Sequence, residues 1–494
     1  MSKNTATKKK DSVWSPTVII VAIVCAIALT VTVVFALIAR SGYFRRSNIV
    51  MEIGENQISQ IEFEYYYGAQ YQYWASAFGL ASSGVNIKTA KCYMDNTKTW
   101  HEYFVDQAKE AIVSDYLLAA EATKNNFEMK EASKKTLETL PDDIETAAEA
   151  NSMSVNAYLS ALYCRNLTME DFVAFTTRSQ LATDYAESVM DGYSYEDSEI
   201  EKYFTDHRKD FELAEYYYYT IKATKDKTVD AIVDEFKAIS GEDSITKFKD
   251  KIKELNPDKV EEGKEFSYSS YLKTDATYTE NNELLEWVFK EETKANDVTV
   301  IEVKSGEGDS ATTTYTAVVL VNRGKDDSKV ASMHHILFQA ATKLDANGNE
   351  LKDSEGKVQK DMDAAKAEAE KILAEFNKGD KSKESFVSFV EANTDDTASK
   401  YTEGLYENFA EGDMTDGIND WIFPEKEEDQ PKVGDVANLA TDYGYHLVYF
   451  LGYADAWKVD IENTMKNEAY EKYMEDLEAA TSVKYNEENM AKVG

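Results

Sequence analysis

The sequence predicts an α+β protein that combines an apolar N-terminal segment, a long helical region and two mixed helix–strand regions. Residues 16–39 carry no charged side chain. Residues 47–211 place apolar side chains mainly at the spacing of amphipathic helices. Between residues 212 and 455, one order of strands and helices occurs twice. These three observations define the predicted fold class.

The composition is strongly acidic. The 494 residues contain 54 Lys and Arg against 91 Asp and Glu, which gives a net charge of −37. A chain of this length predicts several domains, each able to bury a core. The charge argues against nucleic acid as a partner, because phosphate binding needs a basic face. It also argues against contact between the soluble part and an anionic membrane surface.

The cysteines and histidines predict no metal site. Cys25, Cys92 and Cys164 are scattered, and none lies near a histidine at a metal-binding spacing. We therefore expect neither a disulfide framework nor a zinc site, and no cofactor. The DANGNE sequence within the loop 343–361 lacks the spacing of a calcium loop, so we expect a polar hairpin that turns at Asn347–Gly348.

The apolar segment 16–39 predicts a single N-terminal transmembrane helix. As a helix it is about 36 Å long, which is enough to cross a hydrocarbon core of roughly 30 Å. A signal peptide has a shorter apolar region and a small-residue cleavage site. Residues 1–15 are then a cytoplasmic tail, although the flanking charges favour this orientation only weakly. Those charges are Lys3, Lys8, Lys9 and Lys10 before the segment and Arg40, Arg45 and Arg46 after it.

Residues 47–211 predict a helical module that is entered through a short strand and a turn. Ser59 followed by Glu62 fits a capping box, so the first helix begins near Ser59. A bundle without chemistry of its own is compatible with this region. Further helical patterns cover residues 99–124, 128–138, 142–150, 154–163, 168–190 and 196–206.

The region 212–455 contains an internal duplication. The motif LLEWVF (284–289) and the motif INDWIF (418–423) occupy the same place in two series of elements, which indicates a repeated supersecondary unit. The first series has a strand at 214–223, helices at about 227–239 and 244–255, the segment 283–289, and strands at 297–303 and 314–322. The second has a strand at 332–338, two helices, and segments 417–423, 435–440 and 443–450.

The second series, residues 329–455, resembles the parvulin family of peptidyl-prolyl isomerases. His335 in HHIL matches the first-strand histidine of the family, and His446 in YGYH matches the last-strand histidine. Asp396 in NTDD matches a position that holds Cys or Asp. The resemblance implies that these three residues are the catalytic ones. It also implies adjacent central strands for the two histidines, with Asp396 fixing a tautomer or facing the substrate carbonyl.

The same resemblance implies a proline-binding surface. The segment 403–409, EGLYENF, stands where the family has a Gly-Gly segment that ends in Phe. The sequence departs from the family at Glu403, Gly417 and Tyr443, and Ile418 stands where the pocket usually has Phe. The substrate-binding residues that follow from the match are Tyr406, Phe409, Met414, Ile418 and Phe423.

A structural interpretation of the two histidines stays open beside the catalytic one. His335 and His446 as a buried pair would hold two strands together, and both roles are compatible. His334 alternates to the opposite face, where we expect packing or solvent exposure.

Residues 47–211 resemble the N-terminal chaperone module of PrsA-type and SurA-type foldases. The opening strand–turn–helix and the segment 194–212 carry the likeness. Residues 456–494 fit a C-terminal helix that returns to the helical module, followed by a short strand. Residues 212–325 are then a degenerate parvulin-like domain. A tyrosine of the run 216–219 stands in place of the first histidine, and Ala317 or a neighbour in place of the second.

The resemblance implies a membrane-anchored, extracytoplasmic foldase that isomerises X–Pro bonds. Its partners would be unfolded or newly secreted polypeptides, with the bulk of the chain outside the cell membrane. The alternative is a non-catalytic chaperone that holds unfolded secreted chains. A membrane-anchored scaffold for another surface protein is a third interpretation.

Overall fold

The computed structural model describes residues 29–34, 37, 40–80, 82–305 and 312–494. These residues form two compact units. The first unit combines the described residues up to 193 with residues 468–494, and the second comprises residues 194–467.

The predicted cytoplasmic tail and most of the predicted transmembrane helix lie outside the described residues. Residues 29–34 and 37, which belong to the predicted span, are helical. No helix among the described residues combines the length and the apolar character that a membrane crossing requires.

After residue 40, the described residues contain sixteen α-helices. They are α1 (Tyr43–Ser47), α2 (Gln60–Phe78), α3 (Trp100–Lys124), α4 (Glu131–Ala150), α5 (Val155–Leu162), α6 (Met169–Asp191), α7 (Asp197–Asp206), α8 (Arg208–Phe211), α9 (Val229–Lys237), α10 (Ser244–Leu255), α11 (Glu283–Val288), α12 (Met362–Phe376), α13 (Lys383–Asn393), α14 (Asp416–Ile422), α15 (Ala456–Ala480) and α16 (Glu487–Met490). Of these, α1, α8 and α16 have no counterpart among the predicted helices.

The described strands form three antiparallel sheets with the orders β11-β1-β2, β4-β3-β6-β5 and β8-β7-β10-β9. They are β1 (Ile49–Ile53), β2 (Asn56–Ser59), β3 (Leu213–Thr220), β4 (Leu272–Ala276), β5 (Val298–Ser305), β6 (Thr312–Gly324), β7 (Lys329–Gln339), β8 (Leu405–Phe409), β9 (Val436–Ala440), β10 (Gly444–Asp455) and β11 (Val483–Tyr485). The long helix α15 is followed by the short strand β11, as predicted, and β11 pairs with β1 in the first unit. The unpredicted short helix α16 follows β11.

Helix α2 begins at the predicted cap, but only half of the capping box forms. The Ser59 hydroxyl accepts a hydrogen bond from the Glu62 backbone N–H at 3.2 Å. The Glu62 carboxylate does not return to the cap. It accepts a hydrogen bond from the Tyr116 hydroxyl at 2.8 Å and pairs with Arg178. Tertiary partners therefore replace the local one in this buried position.

Helix α4 corrects the prediction of two helices at 128–138 and 142–150. It runs without interruption through Pro141. A proline inside a helix removes a hydrogen bond and costs about 3 kcal/mol. Leu140 and Ile144 pack against the core of the first unit on either side of it, and we attribute the continuity of the helix to that packing.

The two four-stranded sheets of the second unit share one architecture. In each sheet, the first and fourth strands in chain order lie side by side at the centre. The second strand lies at the edge beside the first, and the third lies at the opposite edge beside the fourth. We call the sheet β4-β3-β6-β5 the first sheet and the sheet β8-β7-β10-β9 the second sheet. Two helices pack on one face of each, α9 and α10 or α12 and α13, and a short helix, α11 or α14, packs on the other.

The irregularities of the two sheets also coincide. The edge pairing shifts between Ala214 and Tyr216 in the first sheet and between Ala331 and Met333 in the second. A further shift interrupts the central pairing of each sheet next to the same positions. Strand β4 has no counterpart among the predicted strands, because its sequence LKTDA lacks an apolar pattern.

The second sheet separates two apolar clusters. On one face Ile336, Phe338, Leu447 and Tyr449 pack against α12 and α13. On the other, Met333, Val448 and Phe450 pack against α14 and the end of β8. Because side chains alternate along a strand, His335 and His446 lie on the same side as α14.

The loop between β7 and α12 contains two successive turns where we predict one. Asp345 accepts hydrogen bonds from the backbone of Asn347 and Asn349, and the chain reverses at Gly348 as predicted. The second turn repeats this arrangement around Asp353. Isolated bridges join the arms of the loop, so it is a small meander rather than a single hairpin.

Candidate functional site

The two predicted histidines meet on adjacent central strands of the second sheet. His335 of β7 pairs with Val448, and His446 of β10 pairs with Leu337. This diagonal register brings the imidazoles together on one face, where their ring centroids lie 5.3 Å apart. Both side chains are buried.

The imidazoles form the middle of a chain of hydrogen bonds. The two Nδ1 atoms of His335 and His446 lie 3.1 Å apart. His335 Nε2 lies 2.9 Å from Asp396 Oδ2, and His446 Nε2 lies 3.0 Å from the Thr441 hydroxyl. The chain thus runs from a carboxylate to a hydroxyl through both rings.

A single oxygen of Asp396 collects most of the donors. Its Oδ2 accepts from the Ser399 hydroxyl at 2.5 Å and from the Tyr406 hydroxyl at 3.2 Å, in addition to His335. Its Oδ1 accepts from the Ala398 backbone N–H at 3.1 Å. Hydrogen bonds to the charged form favour ionisation.

The Thr394 hydroxyl fixes the loop that carries Asp396. It accepts from the backbone N–H of Leu337 in β7 at 3.1 Å and from that of Asp396 at 3.2 Å. A buried threonine therefore ties the loop to the strand that carries His335.

These contacts determine the tautomers. Because the Asp396 carboxylate only accepts, His335 carries its proton on Nε2. Its Nδ1 is then an acceptor, so His446 donates from Nδ1. His446 Nε2 in turn accepts the Thr441 hydroxyl proton. Each ring is neutral and oriented by the hydrogen bond at its outer nitrogen.

The electrostatics of the site agree with neutral rings beside a charged carboxylate. Burial, reinforced by the neighbouring His335, lowers the pKa of His446 to about 4. Burial also lowers the pKa of His335, against the opposing effect of Asp396. Burial favours the neutral acid of Asp396, but hydrogen bonds from Ser399 and His335 outweigh it and lower its pKa to about 2.

The backbone at Gly404 allows β8 to approach the first histidine. The His335 N–H donates to Gly404 O at 2.8 Å. A Cβ added to Gly404 would lie 2.1 Å from the His335 carbonyl oxygen, and its φ is +66°. Glycine is required here both by space and by the left-handed conformation.

Tyr406 connects the polar chain to an apolar surface. Its ring lies edge-on to His335, with centroids 5.0 Å apart, while its hydroxyl reaches Asp396. It also packs against the cluster under α14. The members of that cluster are Ala331, Met333, Phe409, Ile418, Ile422, Val448 and Phe450, with Met414, Trp421, Phe423, Leu439 and Tyr453 packed around them.

The structure thus brings all eight predicted site residues to one face of the second sheet, in two layers. His335, Asp396 and His446 form the polar chain. Met414 and Phe423 are half-buried at the apolar cluster, as is Tyr406. Phe409 and Ile418 are buried within it, so their side chains lie in the core rather than on an accessible surface.

Ser399, Thr394 and Thr441 belong to the candidate site through their hydrogen bonds, and sequence reasoning missed them. Ser399 stands three residues after Asp396, and Thr441 stands two residues before Tyr443. Hydroxyl residues are common in loops, so composition gave no signal. The spacing of Asp396 and Ser399 within one short loop was the only available indication.

His334 lies on the opposite face and packs, as predicted for one of its two alternatives. Its Nδ1 lies 2.8 Å from the Glu403 carbonyl oxygen. The side chain is buried, and burial lowers its pKa. It anchors the start of β8 and does not join the histidine pair.

The first sheet has other residues at the corresponding positions. Beside the central bulge, Tyr216 pairs with Leu320 in the first sheet, and Met333 pairs with Phe450 in the second. Tyr216 therefore corresponds to Met333. Because His335 lies two residues after Met333, its counterpart is Tyr218, two residues after Tyr216.

On β6, four residues before Leu320, the counterpart of His446 is Thr316. Ala317 faces the helix side of its sheet, in the cluster with α9 and α10. The neighbour, and not Ala317 itself, therefore occupies the second histidine position. Within the residues described, no group of three or more His, Cys, Asp or Glu is arranged to hold a metal ion.

The sequence matches two known families. Residues 318–452 match the PPIC-type PPIase domain, and residues 9–185 match the SurA-like N-terminal domain. No curated protein matches the chain.

Several solved structures are similar to the chain. The peptidylprolyl isomerase PrsA from Bacillus anthracis is 17% identical, with a TM-score of 0.18; the similarity covers 31% of this chain and 59% of that one. PrsA from Bacillus subtilis is 12% identical, covers 82% of this chain and 92% of that one, and has a TM-score of 0.26. A structure from the study of the SurA-like chaperones PEB4 and Cj1289 of Campylobacter jejuni is 15% identical, with a TM-score of 0.18. The similarity covers 84% of this chain and 95% of that one.

The family matches confirm the resemblance drawn from the sequence motifs. The histidine pair and Asp396 lie inside the matched PPIase range, and the helical first unit contains most of the matched SurA-like range. The chain therefore contains a PPIC-type PPIase domain at residues 318–452 and a SurA-like N-terminal domain at residues 9–185.

Proposed function

We propose that this protein is a membrane-anchored, extracytoplasmic foldase that accelerates cis–trans isomerisation of X–Pro bonds in secreted polypeptides. The observation that carries the proposal is the neutral pair His335–His446, oriented by Asp396 and placed beside an apolar surface. No nucleophile, metal or cofactor takes part in this reaction.

The chemistry requires only that the twisted amide be stabilised. Rotation about the peptide bond meets a barrier of about 18–20 kcal/mol, which reflects amide resonance. Uncatalysed X–Pro isomerisation takes tens to hundreds of seconds. The twisted transition state has lost much of the charge separation of the planar amide. An apolar site with uncharged rings therefore favours it over the ground state.

The residues divide into four roles. Met414 and Phe423, which are half-buried, hold the proline ring, and the buried Phe409 and Ile418 support them from below. Tyr406 joins this surface to the polar chain. His335 and His446 face the rotating amide, and Asp396 fixes their tautomers. The buried pair also binds β7 to β10, so the structural role coexists with the catalytic one.

A peptide isomerisation assay tests the proposal. The full chain accelerates cis-to-trans conversion of an X–Pro peptide above the buffer rate, and a His446→Ala variant that retains its circular dichroism spectrum does so much less. Absence of acceleration by folded wild-type protein would refute the catalytic function.

The cellular placement is also part of the proposal. Residues 16–39 form a single transmembrane helix with residues 1–15 in the cytoplasm, supported by the uncharged apolar run in the sequence. Flotation of the full chain with lipid vesicles, and its loss when residues 16–39 are removed, measures this anchoring.

The domain organisation follows from the same reasoning. A chaperone module at 47–211 is completed by residues 456–494. The PPIase domain is 329–455, and residues 212–325 are a degenerate copy of it. The shared strand order and shared bulges of the two sheets support the last assignment.

A second candidate function is that of a chaperone that holds unfolded chains without catalysis. An exposed aromatic surface on the first unit favours it. Tyr93 is 71% exposed and Met94 is 52% exposed. Tyr93 contacts Phe78, which stacks on Trp74, with ring centroids 6.0 and 5.7 Å apart. Exposed apolar patches of this kind mark interaction sites.

Suppression of client aggregation distinguishes the two functions. A Tyr93→Ser/Met94→Ser variant weakens suppression and leaves isomerisation of a short peptide unchanged. Met153→Ser, which removes another exposed apolar side chain of the same unit, serves as the matched control. Equal suppression by all three proteins would count against a holding surface at this position.

A further inference from the structure

The residues that follow the apolar segment 16–39 contact the first unit from Arg40 onward. The Asn166 side-chain amide donates to the Arg40 carbonyl oxygen at 2.8 Å. Asn166 belongs to the turn between α5 and α6. The apolar run ends at residue 39, so no flexible linker separates it from the folded unit.

Arg46 reinforces this attachment. Its guanidinium donates to the carbonyl oxygens of Ser41 and Asn166 at 2.9 and 2.8 Å, and to Asp171 Oδ2 at 2.5 Å. Asp171 also caps α6 through Thr168. One side chain therefore joins the incoming segment, the α5–α6 turn and the start of α6.

The neighbouring residues Gly42 and Arg45 leave little room for another arrangement. Gly42 is buried with φ +79°, and a Cβ there would lie 2.7 Å from the Asn166 Cβ. Arg45 forms an ion pair with Glu64 of α2, whose carboxylate is buried. We call residues 40–47 together with Asn166 and Asp171 the clamp.

The clamp leaves an aromatic side chain at the surface. Tyr43 is 59% exposed, in the first turn of α1. The described residues of the preceding segment also expose apolar side chains: Leu29, Val31, Val33, Val34 and Leu37. Tyrosine is enriched where a protein meets the interface between hydrocarbon and headgroups.

Chain geometry limits how far the clamp can lie from the end of a span. Residues 39 and 42 are separated by about 10 Å at most, since an extended chain advances roughly 3.5 Å per residue. Each headgroup layer of a bilayer is about 5–8 Å thick. A unit attached at this point without a linker is therefore held at the level of the headgroups.

We propose that the clamp holds the SurA-like unit directly against the outer surface of the lipid bilayer, with Tyr43 in the headgroup layer. This inference rests on the membrane anchor proposed above. It goes beyond anchoring, because it assigns a fixed contact between the first unit and the membrane surface. The occupant of the exposed Tyr43 surface is lipid, not a client polypeptide.

Arg45 and Arg46 do not create this contact by attracting anionic lipid. Their charges are already paired with Glu64 and Asp171. The contact depends on the short, rigid attachment, so it forms on vesicles of zwitterionic phosphatidylcholine.

Quenching of a fluorophore by nitroxide on the lipid headgroups tests the contact. The full chain, carrying Cys25→Ala and Arg165→Cys, is labelled at residue 165, which is exposed in the α5–α6 turn. Cys92 and Cys164 are buried and do not compete for label. The chain is reconstituted in phosphatidylcholine vesicles, and flotation is measured on the same sample.

The expected result is strong quenching that falls at least threefold when a glycine–serine linker is inserted between residues 39 and 40. The insertion leaves every clamp residue in place, so it does not threaten folding. An Asn166→Ala/Arg46→Ala variant loses quenching similarly, and Asn151→Ala, a surface asparagine outside the clamp, behaves as the parent.

The outcomes separate the two proposals. Flotation with quenching that is weak, or unchanged by the linker, would overturn the membrane contact and leave the anchor intact. Failure of the chain to float would overturn both.

Discussion

The two sheets of the second unit have the same strand order, bulges and helix placement, yet only one carries the polar chain. Where the second sheet has His335 and His446, the first has Tyr218 and Thr316. Where the second has Gly404 next to the first histidine, the first has the buried Tyr271. The architecture is therefore independent of the chemistry.

The difference shows what each layer of residues does. Apolar residues on both faces of the central strands bind the helices in both sheets. Val318 and Val448 do so on the face of α11 and α14, and Val319 and Leu447 on the opposite face. The active-site candidates occupy a few positions on one face. Exchanging them changes the electrostatics of that face and leaves the core in place.

The largest expected effect is that of Gly404→Ala. The added Cβ would collide with the His335 carbonyl in a left-handed backbone, and overpacking with unfavourable φ together cost about 3 kcal/mol or more. Hydrogen exchange measured by mass spectrometry should show that β7 and β8 lose protection, whereas the protection of β3 and β4 stays unchanged. Gly412→Ala, at φ +93° in open space, costs only about 1 kcal/mol. Equal losses for both variants would contradict this reading.

The next effect is a pH dependence confined to the second sheet. The pKa of His446 is about 4 in the folded protein, below roughly 6.5 in the unfolded chain. The unfolded chain therefore binds more protons between these values, and stability falls as the pH falls. From pH 7 to pH 5 the loss is about 2 kcal/mol.

Hydrogen exchange measured at increasing urea concentrations gives the stability of both sheets in one sample. The second sheet should weaken relative to the first as the pH falls, and His446→Leu should reduce the difference to the part that the lowered pKa of His335 contributes. An unchanged slope in the variant would assign the pH dependence to groups other than His446.

Asp396→Asn comes third. It keeps the shape but removes the charge that fixes the His335 tautomer, so we expect kcat/KM to fall about tenfold, or roughly 1.4 kcal/mol. Asp395→Asn is the matched control, because the Asp395 carboxylate accepts from the Gln339 backbone and not from a histidine. Similar losses in both variants would show that the loop, rather than the Asp396 contact, matters.

The fold was largely predictable from the sequence, because apolar periodicity and the repeated Trp motifs are local signals. Trp287 and Trp421 fixed the correspondence between the two series. Continuity of α4 through Pro141 was not predictable, since packing against the core decides it. The short polar strand β4 was missed because its pairing with β3 provides its stability.

Residues of the candidate site were predictable only where they belong to a recognisable sequence motif. His335, His446 and Asp396 followed from the parvulin resemblance, whereas Ser399 and Thr441 are visible only as contacts in space. Sequence alone also did not decide between Ala317 and its neighbour Thr316, because a bulge in the central pairing shifts the register by one residue.

The smallest effect is expected when two histidines are introduced into the first sheet at the positions that correspond to His335 and His446. Tyr218→His/Thr316→His, introduced into a His446→Ala background, should restore no isomerase activity. The first sheet has Lys273 at the position of Tyr406, and no counterpart of Asp396 is evident in its sequence. A peptide assay that detected recovered activity would show that two histidines on this fold are sufficient.

The most direct test of the central claim compares paired substitutions in the same full chain. His335→Ala/His446→Ala and Tyr218→Ala/Thr316→Ala remove corresponding residues from the second and the first sheet. With an X–Pro peptide as substrate, we predict that the first variant loses about 100-fold in kcat/KM, or roughly 2.7 kcal/mol, while the second stays within about twofold of wild type. Equal activity of the two variants would contradict the assignment of the chemistry to the second sheet.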